Sequence, residues 1–441
     1  MRHCAASGAR RICQTPGNMR GEQREMPIAP PQGATVTIRA GRFIDGAGSA
    51  PRANVTIRVE DGVITSVDER APASGEVVID LSEYSVLPGL FNMHVHSVLP
   101  GDGTPFHEWM ELPDELLLLQ AHANALASLH AGVTTLRDCG GKGSLMFRLR
   151  DAIRSGIIPG PRYVLSGHAL TITGGHCRFF GGEVDGPEEM RKAARRLLKE
   201  GADFIKIFAS GGGTIGTYPQ FPAFDVDELR AAIHEAHKIG KVASCHCTCA
   251  ASIVNALDAG TDHIEHCSFL TGAMTVEYDD DIARRVADSG VYVTPTLQTM
   301  HDLDSAMVAR VDAGTATADE RTFVTNARAR FATQLETTSR LHELGVPLVA
   351  GSDAGWRHTR FDNFSRELAH LVDAGMTPLD AIHAATGRAA DACQLGSVVG
   401  RLEPGKRADI LAVQGDPSTD IAALTAVAMV LQDGRVVVDR R

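Results

Sequence analysis

The sequence predicts an α/β protein: a parallel (β/α)8 barrel of the TIM type carrying a small β-sandwich built from both chain ends. Three observations predict it. Short apolar strands alternate with amphipathic stretches of helical length across the middle of the chain, over roughly 310 residues. The two ends lack that alternation and hold short β-rich runs split by turn dipeptides. The polar residues that interrupt the apolar strands fall where the strands end, which is where barrels of this type carry their chemistry.

Taken in chain order, residues 1–33 are rich in Arg, Gly, Pro and Gln and read as a disordered extension. They have no apolar stretch long enough for a secretory signal, and Met19 and Met26 offer alternative starts. Residues 34–87 carry Val36-Thr37-Ile38 and Val55-Thr56-Ile57-Arg58-Val59, with turn signals at Asp45-Gly46 and Asp61-Gly62. They are expected to form the first part of the sandwich. Residues 88–401 are expected to form the barrel, with strands ending near His96, Asp138, Gly167, Ser210, Cys247, Cys267, Thr296 and Asp353. Helices are expected at 115–131, 187–200, 226–239 and 279–289, and extra helices within 297–340. Residues 402–441 return to β pattern, with Asp409-Ile410-Leu411-Ala412-Val413 and Val436-Val437-Val438, and should complete the sandwich.

The composition narrows the function. The chain has 441 residues, 44% of them apolar, and a net charge of −11 from 43 basic and 54 acidic residues. An acidic chain without a basic stripe argues against nucleic acid as a partner. No apolar run reaches the ~18 residues needed to span a bilayer. Nine scattered cysteines fit reduced thiols in the cytoplasm better than a disulfide framework.

The chemistry begins in the first barrel strand, Phe91-Asn92-Met93-His94-Val95-His96. Residues two apart on a strand share a face, so His94 and His96 can grip one ion, or can be packed histidines. In the fourth strand Lys206 stands within Phe204-Ile205-Lys206-Ile207-Phe208. A buried ammonium is costly unless paired with a carboxylate or converted, for example by carbon dioxide to a carbamate whose two oxygens bridge two cations. His246, His266 and Asp353 lie at the ends of the fifth, sixth and eighth strands. Each alone has an ordinary explanation, but a barrel brings these strand ends around one axis. Two cations about 3.5–4 Å apart need several N/O ligands and a bridging anion, which this set supplies. Cys245 and Cys247 point by strand parity away from His246 and read as buried small hydrophobes. The run Ser210-Gly211-Gly212-Gly213 lacks the Lys-Ser/Thr ending of a phosphate loop and reads as a place of close backbone approach.

Motifs across residues 35–441 resemble the amidohydrolase superfamily. They are Leu87-Pro88-Gly89-Leu90 with His94 and His96, Ala131-Gly132-Val133-Thr134-Thr135 with Arg137-Asp138, Thr173-Gly174-Gly175-His176, Ile205-Lys206-Ile207, Ile264-Glu265-His266, Gly351-Ser352-Asp353-Ala354-Gly355 and Gly405-Lys406-Arg407-Ala408-Asp409. The resemblance is closest to the branch of imidazolonepropionase-like proteins, Xaa-Pro dipeptidases and arginine carboxypeptidase-type metallohydrolases. It implies that His94, His96 and Asp353 hold the more buried ion, that His246 and His266 hold the other, and that carbamylated Lys206 bridges both, with zinc as the expected metal. Single-metal relatives lack the strand-four lysine. Deaminase-type relatives carry a glutamate where this chain has Cys249, and many relatives carry a histidine where it has Thr248.

The implied reaction is hydrolysis of an amide or peptide bond in a small substrate such as a dipeptide or N-acyl amino acid. Water activated at the ions attacks, with Asp353 as general base and then general acid, and His176 over the substrate carbonyl. His358, His168, Tyr218 and Arg357 are candidate substrate residues, and the segments 99–113 and 297–330 are expected to shape the pocket. Aryl carbamates, phenylureas, lactones and cyclic amides are alternative substrates on the same site, and a non-catalytic binding protein is a distant alternative. Relatives of this kind are often homo-oligomers.

Overall fold

A computed structural model describes residues 35–441. The extension expected at 1–33 lies outside the described residues.

Both chain ends meet in one sheet. Its N-terminal strands are β1 (Thr35–Phe43), β2 (Arg52–Glu60), β3 (Val63–Asp68) and β4 (Val77–Pro88). The middle of the chain then supplies β5 (Leu90–Val95), α1 (Phe106–Trp109), α2 (Asp114–His130), β6 (Val133–Asp138), α3 (Leu145–Arg154) and β7 (Arg162–Leu165). It continues with α4 (Gly186–Glu200), β8 (Ile205–Phe208), α5 (Val226–His237), β9 (Ala243–Cys249), α6 (Ala250–Ala259) and β10 (His263–Leu270). Next come α7 (Asp280–Ser289), β11 (Tyr292–Thr294), α8 (Leu297–His301), α9 (Ser305–Asp312), α10 (Ala318–Glu343), α11 (Ser365–Asp373), α12 (Pro378–Ala384) and α13 (Gly387–Ala392). The chain closes with β12 (Ile410–Val413), β13 (Val427–Gln432) and β14 (Arg435–Asp439).

The terminal strands pair in the order β14-β13-β12-β4-β1-β2-β3. The expected sandwich is thus hydrogen-bonded as one continuous sheet. The reason is the 12-residue β4, which pairs with β1 through Val77–Val86 on one edge and with β12 through Ser85–Pro88 on the other. The sheet curls enough for β3 to approach the residues before β12, with Ile64 N–H donating to the Lys406 carbonyl. Ile38, Ile57, Leu81, Ile410 and Leu431 share the enclosed core.

Between the ends, β5-β6-β7 and β8-β9-β10-β11 are parallel sheets. Single bridges connect their edges. Leu170 pairs with Ile207, Val293 with Leu348, and Val95 with Ala354, so the segment 348–354 lies between β11 and β5. Gly351 allows that segment to lie close, since a Cβ there would meet Thr294 Cγ2 at 2.5 Å and the backbone nitrogen of His94 at 2.8 Å.

Helices start and stop at recognisable signals. Asp225 and Glu228 form a capping box on α5, and Thr317 and Glu320 form one on α10. Pro187 sits in the first turn of α4, and Gly201 ends that helix in the left-handed region at φ +102°. The stretch 297–340 forms α8, α9 and most of α10. Arg162 of β7 reaches Asp409 and Asp433, which ties the central strands to the terminal sheet. No helix among the described residues is long and apolar enough to cross a membrane.

Candidate active site

Strands β5, β8, β9 and β10, with the residue after β5 and the segment 348–354, place His94, His96, Lys206, His246, His266 and Asp353 in one buried cluster. His94 and His96 share one face of β5, as strand parity requires. Their Nε2 atoms lie 3.5 and 3.4 Å from Asp353 Oδ1. The candidate ligand atoms of His94, His96 and Asp353 all fall within 4.8 Å of one another. The His246 and His266 rings are 4.4 Å apart, and His266 lies 5.1 Å from His94, centroid to centroid.

Each imidazole is oriented from behind. His94 Nδ1–H donates to Glu265 Oε2 at 2.8 Å, His96 Nδ1–H to the Gly140 carbonyl at 2.8 Å, and His246 Nε2–H to the Gly211 carbonyl at 3.1 Å. His266 Nδ1 pairs with Thr296 Oγ1 at 2.7 Å. The bonds to the Glu265 carboxylate and the two carbonyls fix the tautomers of His94, His96 and His246, with the other ring nitrogen of each lacking a proton, which is the usual arrangement around a metal-ligating histidine.

Burial holds the rings neutral. His94 is held down at about 4, by burial first and by the nearby Lys206 second. Burial also puts His96, His176, His246 and His266 well below the ordinary histidine value, and neighbouring imidazoles add to the effect. The Asp353 carboxyl is pushed up to about 8 by burial, against the pull of Lys206. The donor set is thus four neutral imidazoles and one acid.

Lys206 is 0% exposed, and its Nζ has no hydrogen-bond partner. A buried ammonium without a partner is costly, and it fits an anionic counterpart or a covalent change that removes its positive charge. Glu265, also fully buried, does not pair with it directly. Its oxygens accept from His94, from Arg137 Nη1 at 2.8 Å and from Ser244 Oγ at 2.5 Å. Burial opposes the Glu265 charge, but Lys206 and Arg137 outweigh it and hold the carboxyl well below the usual range.

The backbone is strained at the same points. Asp353 and His266 adopt left-handed φ values of +59° and +66°, and Thr296 +51°. Such conformations cost of order 1 kcal/mol or more each in non-glycine residues and cluster at functional sites.

A cavity of about 340 Å³ opens over the cluster. His176 lines it, with Nδ1 paired to Thr214 Oγ1 at 2.8 Å and its ring 4.8 Å from His246. Gly212 permits this, since a Cβ there would meet the His176 ring at 2.4 Å. Arg357 also lines the cavity. The other expected substrate residues do not. Tyr218 is 65% exposed on the loop after β8, His358 packs toward Gly103, and His168 packs beside Gly182. The segment 297–330 contributes Met300, Leu303, Phe323, Ala327 and Arg330 to the wall. The segment 99–113 acts indirectly, through Phe106 stacked on Trp356 at 4.1 Å. Cys245 and Cys247 are buried among apolar side chains, and the seven described cysteines are all unpaired.

Sequence reading did not assign Glu265 and Arg137 as partners, although each is a charge inside an apolar strand and a matching opposite charge was the available signal. Thr214 and Arg330 carried no such signal.

Buried imidazoles and an acid at the ends of parallel strands, beneath a cavity, define a hydrolase scaffold with a candidate metal site. The amidohydrolase family model matches residues 85–437, and the chain belongs to that family, acting as a hydrolase on carbon–nitrogen bonds. It is 27% identical to ochratoxinase of Aspergillus niger over 445 aligned positions, covering 92% of this chain and 87% of that protein. Among solved structures it is similar to a Xaa-Pro dipeptidase with bound methionine in the active site (28% identity, TM-score 0.80, 91% and 99% of the two chains). It is also similar to a prolidase complexed with N-methylphosphonate-L-proline (25% identity, TM-score 0.78, 92% and 100%).

Proposed function

We propose that this protein is a binuclear metal-dependent hydrolase that cleaves the amide or peptide bond of a small substrate such as a dipeptide or N-acyl amino acid. The observation that carries the reading is the unpartnered, fully buried Lys206 Nζ beside four neutral imidazoles and Asp353. The dipeptidase and prolidase names of similar structures point the same way.

In this reading the central strands form a closed (β/α)8 barrel over residues 88–401, and residues 34–87 and 402–441 form the accessory β domain. His94, His96 and Asp353 would hold one divalent cation, and His246 and His266 would hold the other. Lys206, as a carbamate formed when carbon dioxide adds to Nζ with loss of a proton, would supply anionic oxygens to the cations. Zinc suits a donor set of this kind, as do related divalent ions. Bound cations would supply Lewis acidity at the scissile carbonyl and a depressed pKa for water. Asp353 takes the proton of the attacking water and returns it to the leaving nitrogen. His176, held by Thr214 and lining the cavity, donates to the oxygen that gains negative charge. Trp356 and Phe106 limit solvent on one side. A cytoplasmic homo-oligomer is the expected form.

The test is a mass-spectrometric screen of protein loaded with metal and bicarbonate. The library holds dipeptides including Xaa-Pro, N-acyl amino acids, aryl carbamates, phenylureas, lactones and cyclic amides. Hydrolysis of peptides or N-acyl amino acids is expected. Hydrolysis confined to the other classes would keep the site and overturn the peptide reading.

A further inference from the structure

Two guanidinium groups face the cavity above the cluster, from Arg330 on α10 and Arg357 after the segment 348–354. Among the described residues neither takes part in a side-chain hydrogen bond or ion pair. Both side chains are exposed, and the acids among the cavity's lining residues are Asp302 and Asp353. Asp302 is already engaged. Its Oδ1 accepts from Arg366 at 2.7 Å and its Oδ2 from Gln298 at 3.1 Å. Asp353 lies lower, among the imidazoles.

Arg357 is positioned at some cost. Its backbone is left-handed at φ +51°, and Gly213 leaves room for its guanidinium, since a Cβ there would lie 3.1 Å from Nη2. Desolvation and the like charge of Arg330 both lower the Arg357 guanidinium below its ordinary value. Two facing cations repel until an anion joins them, and a planar carboxylate suits a guanidinium fork. The cavity also has an apolar lining from Leu270, Met274, Val276, Met300, Leu303 and Phe323.

We propose that the cavity selects substrates with a free carboxylate beside an apolar group, and that Arg330 and Arg357 form the carboxylate clamp. The inference rests on the hydrolytic reading above and narrows it to N-acyl amino acids or dipeptides with an apolar residue at the carboxyl end. Uncharged carbamates, ureas and lactones would leave both arginines without a counter-ion.

The experiment is calorimetry on the metal-loaded full chain carrying Asp353→Asn, which prevents turnover. N-acetyl-L-phenylalanine is compared with N-acetyl-L-phenylalaninamide. The acid is expected to bind roughly ten- to hundred-fold more tightly than the amide. Arg330→Met and Arg357→Met, each added to that background, are expected to weaken acid binding far more than amide binding, which removes the preference, and to leave metal content unchanged. A carboxylate can also ligate the cations, and the arginine variants isolate the clamp from that contribution. Arg330 is solvent-exposed on its helix, so its substitution leaves the fold intact. Equal binding of acid and amide, no binding of either, or a preference that survives both arginine variants would overturn the clamp. A preference without hydrolysis of any N-acyl amino acid by the parent chain would keep the clamp and sink the hydrolytic reading. Equal kcat/KM for acid and amide would do the reverse.

Discussion

His94 Nδ1 and Glu265 Oε2 are 2.8 Å apart with both side chains buried, and the other oxygen of Glu265 holds Arg137. One carboxylate thus orients an imidazole of the cluster and neutralises a buried guanidinium. Glu265→Gln is expected to lower metal affinity about 10–100-fold, the usual effect of losing such a partner. It should also destabilise the fold by about 3–5 kcal/mol, because Arg137 is left buried without its counter-charge. Metal titration and urea unfolding read the two effects separately. Parent-like affinity in a folded variant would contradict the orienting role.

Asp353→Asn is expected to keep most of the bound metal and to lose roughly 10²–10⁴-fold in kcat, the range of general acid–base catalysis. Steady-state rates on a substrate found in the screen, paired with metal analysis of the same sample, check it. Turnover at the parent rate would remove Asp353 from the proton-transfer role.

Lys206→Ala removes the atom assigned to carry the carbamate. Fewer than two ions per chain and at least a ~100-fold loss of turnover are expected. Acetate or propionate should restore part of the activity by occupying the vacated position. Full metal content and activity in this variant would show that the bridge is not needed.

Acid sensitivity has an identifiable contributor far from the cluster. Glu235 on α5 accepts from Arg195 of α4 at 2.9 and 3.0 Å and from Lys238 at 2.8 Å. These bonds hold its carboxyl down at about 2, against an ordinary value of 4.5. A depressed folded-state value means the contribution is present above pH 4.5 and is lost as pH falls toward 2. Glu235→Gln is therefore expected to flatten the stability–pH curve in that window. At pH 7 it should cost only about 0.5–1 kcal/mol, because Arg195 and Lys238 are well exposed. Urea midpoints at pH 7 and pH 3.5 test the sign. An unchanged acid slope would exclude the pair.

The sequence was informative where one residue type in one context has few physical explanations. His94 and His96 announced a shared face through their spacing, and Lys206 announced itself by standing in an apolar strand. The alternation of strands and helices located nearly all the central elements, and α2, α4, α5 and α7 begin and end within about two residues of expectation because caps and glycines mark them. What the sequence hid is tertiary. The fusion of the terminal strands into one sheet depends on β4 being long enough to serve two neighbours. Nothing in Thr214 distinguishes it from a loop residue until it meets His176. Arg330 belongs to an ordinary amphipathic helix, and only the placement of α10 over the cavity makes it notable. Tyr218, an aromatic residue in a glycine-rich loop, looked like a substrate contact but points to solvent.

The central claim is a pair of cations on this cluster, and counting them tests it most directly. The protein would be loaded with Zn²⁺ and bicarbonate, desalted and measured by inductively coupled plasma mass spectrometry against protein concentration. Two ions per chain are expected in the parent and fewer than two in Lys206→Ala. A desalted parent chain that retains no metal would contradict the account.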